Sequence, residues 1–133
     1  MELNEPDAVY STQNYDFNDG TGEIIRCAIE VHKTLGTGFR EIVYQRALAL
    51  EFDTNRISYN REVKMPIYYK GKQIDTRRVD FVAGQVMVEI KAKSELDPQD
   101  YVQALNYVKA SNFKLGLLLN FGASRLQIKR FVN

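Results

Sequence analysis

Three residues have the types and spacing of a metal-assisted hydrolytic site: Asp80, Glu89 and Lys91, in the pattern Asp-x8-Glu-x-Lys. Gly84-Gln85 separates the two apolar runs that carry them, and glycine in the first central position of a two-residue loop fits a type II′ hairpin turn. That turn sets an antiparallel register. Phe81 faces Val88 and Val79 faces Ile90 on one apolar side, while Asp80 faces Glu89 and Arg78 faces Lys91 on the other. Two carboxylates directly across a strand pair repel, as do two cations, so a purely structural sheet tends to avoid this arrangement. A hard divalent cation such as Mg2+ or Mn2+ turns the first repulsion into ligation by oxygen. Lys91, on the face of Glu89, then stands where it can hold an attacking water or stabilise charge developing on a phosphate. The competing reading is a solvated face whose charges pair diagonally as ordinary salt bridges.

Other side chains extend the same chemistry. Helical spacing puts Glu41 on one face with Tyr44, Gln45 and Leu48, and an inward Leu48 turns the carboxylate towards the sheet as a further metal or water ligand. Its rival role is that of a first-turn glutamate favoured by the helix dipole. Gln103 and Tyr107 are four residues apart on a later helix, so they share a face where an amide can orient water or touch a phosphate; a polar boundary stripe has the same spacing. His32 lies on the apolar side of an early helix, either approaching the site or serving as a hydrogen-bonded core histidine. One histidine cannot build a zinc site of the usual type without help from acids. The single cysteine, Cys27, reads as a buried structural thiol, which excludes a disulfide framework and a cysteine-rich metal site.

These residues need elements to position them. Residues 1–20 lack hydrophobic periodicity and read as a flexible or irregular arm. From Thr21 the positions Ile25, Ala28, Ile29, His32 and Leu35 are helical, with Gly36-Thr37-Gly38 as the stop. A second helix is expected over 39–54, with Val43, Ala47, Leu48, Leu50 and Phe52 as its apolar positions. Alternation of Val63, Met65, Ile67 and Tyr69 predicts a half-buried strand over 59–69, ended by Lys70-Gly71-Lys72. Strands over 74–83 and 86–92 flank the Gly84-Gln85 turn. Asp97-Pro98 is an N-cap with proline in the first helical position, opening a helix to Ala110. The continuous apolar run 115–121 suits a buried strand, and 126–131 adds a last one.

At 133 residues the chain is about one domain long, and 21–133 are read as that domain. No apolar run approaches the roughly 18 residues of a membrane span, and the polar start does not resemble a secretory signal; the reading is a cytoplasmic protein without a membrane partner. A formal net charge of +1 excludes a protein that coats nucleic acid through bulk positive charge, so any such contact comes from a local patch. Lys70 with Lys72, Arg77 with Arg78, Lys91 with Lys93, and Arg125 with Lys129 and Arg130 are the candidates.

The run Gly38-Phe39-Arg40-Glu41-Ile42-Val43-Tyr44 within EVHKTLGTGFREIVYQRALALE, followed in order by RRVDFV, VEIKAK, QALNYVKA and LGLLLNFG, resembles the GxxExxY proteins, a small branch of the PD-(D/E)XK nuclease superfamily. The resemblance covers about residues 22–131. It implies a restriction-endonuclease-like α/β core, a mixed sheet flanked by helices in the order α-α-β-β-β-α-β-β. It also implies Asp80, Glu89 and the carbonyl of Ile90 as metal ligands, Lys91 as the catalytic lysine, Glu41 as the acid of the first core helix and Gln103 as the glutamine of the next. The usual proline before the aspartate is replaced by Val79. The expected function is therefore Mg2+- or Mn2+-dependent hydrolysis of phosphodiesters in nucleic acid, DNA favoured over RNA. Arg78, Lys93 and Tyr107 are expected to contact substrate, with His32 and Tyr44 near the site. A chain this small can form a homodimer to address both strands of a duplex. The alternative is a non-catalytic module binding nucleic acid or protein on the same fold.

Overall fold

A computed structural model describes residues 2–3 and 18–133. The expected N-terminal arm, apart from residues 2–3 and 18–20, lies outside the described residues. The elements are β1 (Glu2–Leu3), α1 (Thr21–Leu35), α2 (Glu41–Thr54), β2 (Asn60–Tyr69), β3 (Lys72–Ala83), β4 (Val86–Lys91), α3 (Pro98–Ala110), β5 (Leu115–Asn120) and β6 (Gln127–Val132). They build a six-stranded sheet in the order β1-β6-β5-β4-β3-β2. The β4–β5 pair is parallel and every other pair antiparallel, so this is an α/β fold on a mixed sheet. Among the described residues no helix is long and apolar enough to cross a membrane.

Local signals set most boundaries. Gly36 ends α1 at φ 71, donating its N–H to the His32 carbonyl at 2.9 Å. Asp97 caps α3 by accepting from the Asp100 N–H, and Asp100 accepts from the Asp97 N–H in return, with Pro98 next in line. Gly84 takes φ 61 while Gln85 keeps a negative φ, as a type II′ turn requires.

Strand alternation divides the core into two layers. Val86, Val88 and Ile90 of β4, with Leu117 and Leu119 of β5, pack under α1 and α2. Met87 and Leu118 point the other way, towards α3. Helix α3 sits so close that a methyl group on Gly116 would meet Val108 Cγ2 at 2.6 Å, so glycine is what allows the contact.

Two expectations about facing are corrected. Leu50 is 66% exposed, because the buried stripe of α2 runs through Tyr44, Leu48 and Phe52 at four-residue spacing and leaves Leu50 outside it. Val79 does not share the side of Phe81: Phe81 belongs to the layer under α1 and α2, whereas Val79 packs with Met87 and Val108 on the α3 side. The alternation of β3 therefore breaks between them, at Asp80.

Candidate active site

Asp80 occupies a gap in the sheet on both of its flanks. Pairing of β3 with β4 runs only from Ala83↔Val86 to Phe81↔Val88. Pairing with β2 passes from Arg61↔Phe81 to Val63↔Val79, skipping Asp80 opposite Glu62, which takes φ 54. The flanking pairs keep one register, so neither strand gains a residue; the irregular backbone, with Glu62 in the left-handed region, re-aims the side chains around it. The Asp80 carboxylate substitutes for the missing ladder bond: Oδ2 accepts from the Ile90 N–H at 2.8 Å, and Oδ1 accepts from Gln45 Nε2 at 2.8 Å.

Glu89 stays in β4 through its pairing with Leu118 of β5 and is buried on the α3 side. Burial pushes its carboxyl up to about 7; the Arg77 guanidinium opposes this and the neighbouring Asp80 adds to it. The Arg77 guanidinium forms an ion pair with Glu89, donates to the Arg78 carbonyl at 3.2 Å, and lies 3.9 Å from the centre of the Tyr107 ring on α3. Stacking on the ring face and bonding to a carboxylate together fix a planar cation in one orientation.

From the other layer, α2 contributes two side chains one turn apart. Glu41, at the first turn, has its carboxyl raised by partial burial, with Lys91 opposing and Asp80 adding. Gln45 is buried, and because a carboxylate only accepts, its amide nitrogen faces Asp80. Its Oε1 is left buried with no partner. Asp80, Glu89, Glu41 and Lys91 thus interact electrostatically across the break in β3.

The remaining candidates are placed less centrally. Arg78 is exposed and lies 4.0 Å from Glu62, so it is the neighbouring Arg77 that turns to Glu89. Lys93 bridges Asp97 at 3.0 Å and Asp100 at 2.8 Å, tying the end of β4 to the start of α3. Gln103 is exposed, and among the described residues no hydrogen bond joins it to Asp80, Glu89 or Lys91; Tyr107, one turn on, reaches the site through Arg77. His32 is buried with Nε2 2.9 Å from the Ala123 carbonyl. Tyr44 donates to the Gly36 carbonyl at 2.6 Å and stacks on Phe121 at 4.9 Å, holding the loop before α2.

A family model of the PD-(D/E)XK nuclease superfamily matches residues 18–131. The chain belongs to the PD-(D/E)XK nuclease superfamily. A solved structure described as the crystal structure of SSO0001 is similar at a TM-score of 0.52 and 15% identity, covering 100% of this chain and 70% of that one, a likeness of fold. No curated protein matches. PD-(D/E)XK proteins are usually nucleases, generally use divalent metals and act on nucleic acid.

The donor set suits such an ion in kind: carboxylate oxygens that repel one another, and a buried amide oxygen awaiting a partner beside them. In arrangement the ion's place is contested. Among the described residues no three acid, histidine or cysteine side chains are gathered ready to hold a metal, and the Arg77 guanidinium serves as the counter-charge of Glu89. Arg77 and Gln45 are the site members that strand alternation and motif reading missed. Gln45 was legible as the residue one turn after Glu41; Arg77 was not, because its direction depends on the break at Asp80.

Proposed function

We propose that the chain is a metal-dependent nuclease of the GxxExxY branch, working in the cytoplasm and hydrolysing phosphodiester bonds, with DNA favoured over RNA. The observation that carries this reading is the Asp80 carboxylate, held by Gln45 and the Ile90 N–H at the break in the sheet, with Glu89 beside it and Glu41 and Lys91 within electrostatic reach. Asp80, Glu89 and the carbonyl of Ile90 would hold Mg2+ or Mn2+. A strand residue directs its N–H and C=O to the same side. The Ile90 N–H goes to Asp80, so its carbonyl also turns towards β3, beyond the point where that ladder stops. The ion supplies charge neutralisation and an acidified water.

The chain's own groups do the rest. Gln45 and the Ile90 N–H fix the Asp80 carboxylate. Lys91 orients the attacking water and stabilises the negative charge developing on the phosphate, while Glu41, held less acidic than usual, completes the metal or water shell. The water oxygen bonds to phosphorus as the P–O bond to the leaving strand breaks; Glu41 takes up the water's proton and solvent protonates the departing oxygen. Gln103 remains the candidate catalytic glutamine, Arg78, Lys93 and Tyr107 remain the candidate substrate contacts, and a homodimer would present two such sites; a monomeric mass by light scattering at all concentrations would count against the dimer.

The test is incubation of wild type, Asp80→Asn and Lys91→Ala with labelled single- and double-stranded DNA and RNA, in Mg2+, Mn2+ or chelator. Metal-dependent cleavage by the wild type, reduced at least about 100-fold in both variants, is expected. Full activity in both variants would refute the assignment. The ion pair that occupies Glu89 favours a second reading, a non-catalytic module binding nucleic acid or protein, which requires binding indifferent to chelator and to Asp80→Asn.

A further inference from the structure

The hairpin of β2 and β3 outruns its neighbour: β4 pairs only with residues 81–83 of β3, so residues 72–79 and their β2 partners form a two-stranded arm. The arm carries exposed Lys64, Lys70, Lys72 and Arg78 against exposed Asp75, with exposed Glu62 at its base facing Arg78, in a chain whose formal net charge is only +1. It also carries Tyr68, Tyr69 and Ile74, which are 41%, 59% and 64% exposed. At its tip, Tyr68, Lys70 and Gly71 face Lys109, Ala110 and Asn112 at the end of α3 across a recess of about 370 Å3.

This recess lies along the hairpin from the site: Tyr68 pairs with Gln73, which stands seven residues of β3, about 23 Å of strand, before Asp80. Ala110 is one turn of α3, about 4.5 Å of rise, beyond Tyr107. The Tyr107 ring carries Arg77, and Arg77 carries Glu89. Cation and ring thus alternate outward from the acids: Arg77, Tyr107, Lys109, Tyr68, Lys70. Interleaved cations and aromatic faces suit strands whose bases are free to stack, because every base offers a π-face whereas a paired base in a duplex is already stacked. The carbonyl end of α3 disfavours a phosphate deep in the recess but suits the amino groups of a base. The phosphate is left to the two lysines at the rim.

We propose that this recess binds an unpaired nucleotide a few positions along the strand from the scissile bond, its base against Tyr68 and its phosphate between Lys70 and Lys109. The proposal rests on the nuclease reading of the acids, and it directs the enzyme to single strands or unpaired segments rather than intact duplex.

The test is fluorescence anisotropy of the full chain in chelator, which separates binding from cleavage, with a labelled single-stranded 12-mer and a blunt duplex titrated over a range of salt. Wild type should prefer the single strand. Tyr68→Ala should weaken it roughly 5- to 150-fold, the range for one stacked base, with Tyr68→Phe restoring it and duplex binding unchanged. The pair Lys70→Ala and Lys109→Ala should flatten the slope of log K against log salt by about 0.7 for each phosphate that is no longer neutralised. All these positions are at the arm's tip or the end of α3, so unchanged melting temperatures are expected alongside. Wild-type binding that none of these substitutions alters, equal affinity for duplex, or equal competition by polyglutamate would overturn the proposal. Cleavage in Mg2+ with unaltered variants would sink the recess alone, whereas neither binding nor cleavage by the wild type would sink the nuclease reading with it.

Discussion

Arg77 favours the charged form of Glu89 against the burial that pushes its carboxyl up. Its guanidinium neutralises Glu89 in a position only partly open to solvent, with side-chain exposures of 22% and 12% for the pair. Removing the cation pushes the Glu89 carboxyl, already raised to about 7, higher still, so that folding then requires Glu89 to take up a proton beside Asp80. Breaking a fully buried pair costs roughly 3–5 kcal/mol, and this pair is partly solvated, so Arg77→Met is expected to lose about 2–3 kcal/mol in urea unfolding with chelator present. Arg77→Lys should recover only part, because an ammonium cannot stack on Tyr107 and bond Glu89 in one plane. A loss below about 0.5 kcal/mol would mean that Glu89 finds its counter-charge elsewhere. Cys27 gives a test of the opposite kind. It borders a cavity between α1 and α2, yet burial, with Glu51 and Glu23 adding to it, pushes its thiol up to about 11. The reactive thiolate is then about one molecule in a thousand at pH 8, and its fraction grows tenfold per pH unit up to that value. Labelling of the native chain by a disulfide reagent should accordingly be at least about 100-fold slower than labelling of the unfolded chain, and should accelerate with rising pH.

At the scale of elements, Asn120 holds the link from β4 to α3 against β5, beside the Lys93 bridges to Asp97 and Asp100. Asn120 is fully buried at the end of β5; it accepts from the Lys93 and Gly122 N–H groups and donates to the Lys93 carbonyl and Gln127 Oε1. Asn120→Leu would leave several of these groups buried without partners at about 1–3 kcal/mol each, so a loss of about 3–5 kcal/mol is expected by chemical denaturation. It should also disorder the stretch after Lys91, so metal-dependent cleavage should fall more than Asn120→Asp makes it fall. Such a network is nonlocal and left no trace in the sequence, in contrast to elements set by neighbours a few residues apart. The Asp97-Pro98 start of α3 and the Gly84-Gln85 turn were legible because capping and turn chemistry act within four residues. The inward face of α2 was read one position out at Leu50, since Tyr44 and Gln45 are buried there in place of a more apolar residue. Strict alternation along β3 placed Val79 with Phe81 and turned attention to Arg78; the missing ladder at Asp80 reverses both, and only the neighbouring strands reveal it.

For the whole molecule, the site joins both layers, since Gln45 and Glu41 reach it from α2 and Arg77 and Tyr107 from the α3 side. A cation held there would tie the layers together and be felt in global stability. A ligand that binds only the folded chain adds RT ln(1 + [L]/Kd), about 2.7 kcal/mol at a hundred times Kd. For a chain of 133 residues each kcal/mol moves the melting temperature by roughly 3–5 °C, so saturating Mg2+ or Mn2+ should raise it by roughly 10 °C. Asp80→Asn should lose that rise. Arg77→Met should start lower and gain more at the same metal concentration, because the ion no longer competes with a guanidinium for Glu89. This opposite response of the two variants separates ligation at the acids from nonspecific salt effects, which would move all three proteins alike. A flat melting temperature in the wild type with a clear rise in Arg77→Met would mean that the arginine holds the site closed to metal, and that nucleic acid must draw it away before the ion can bind.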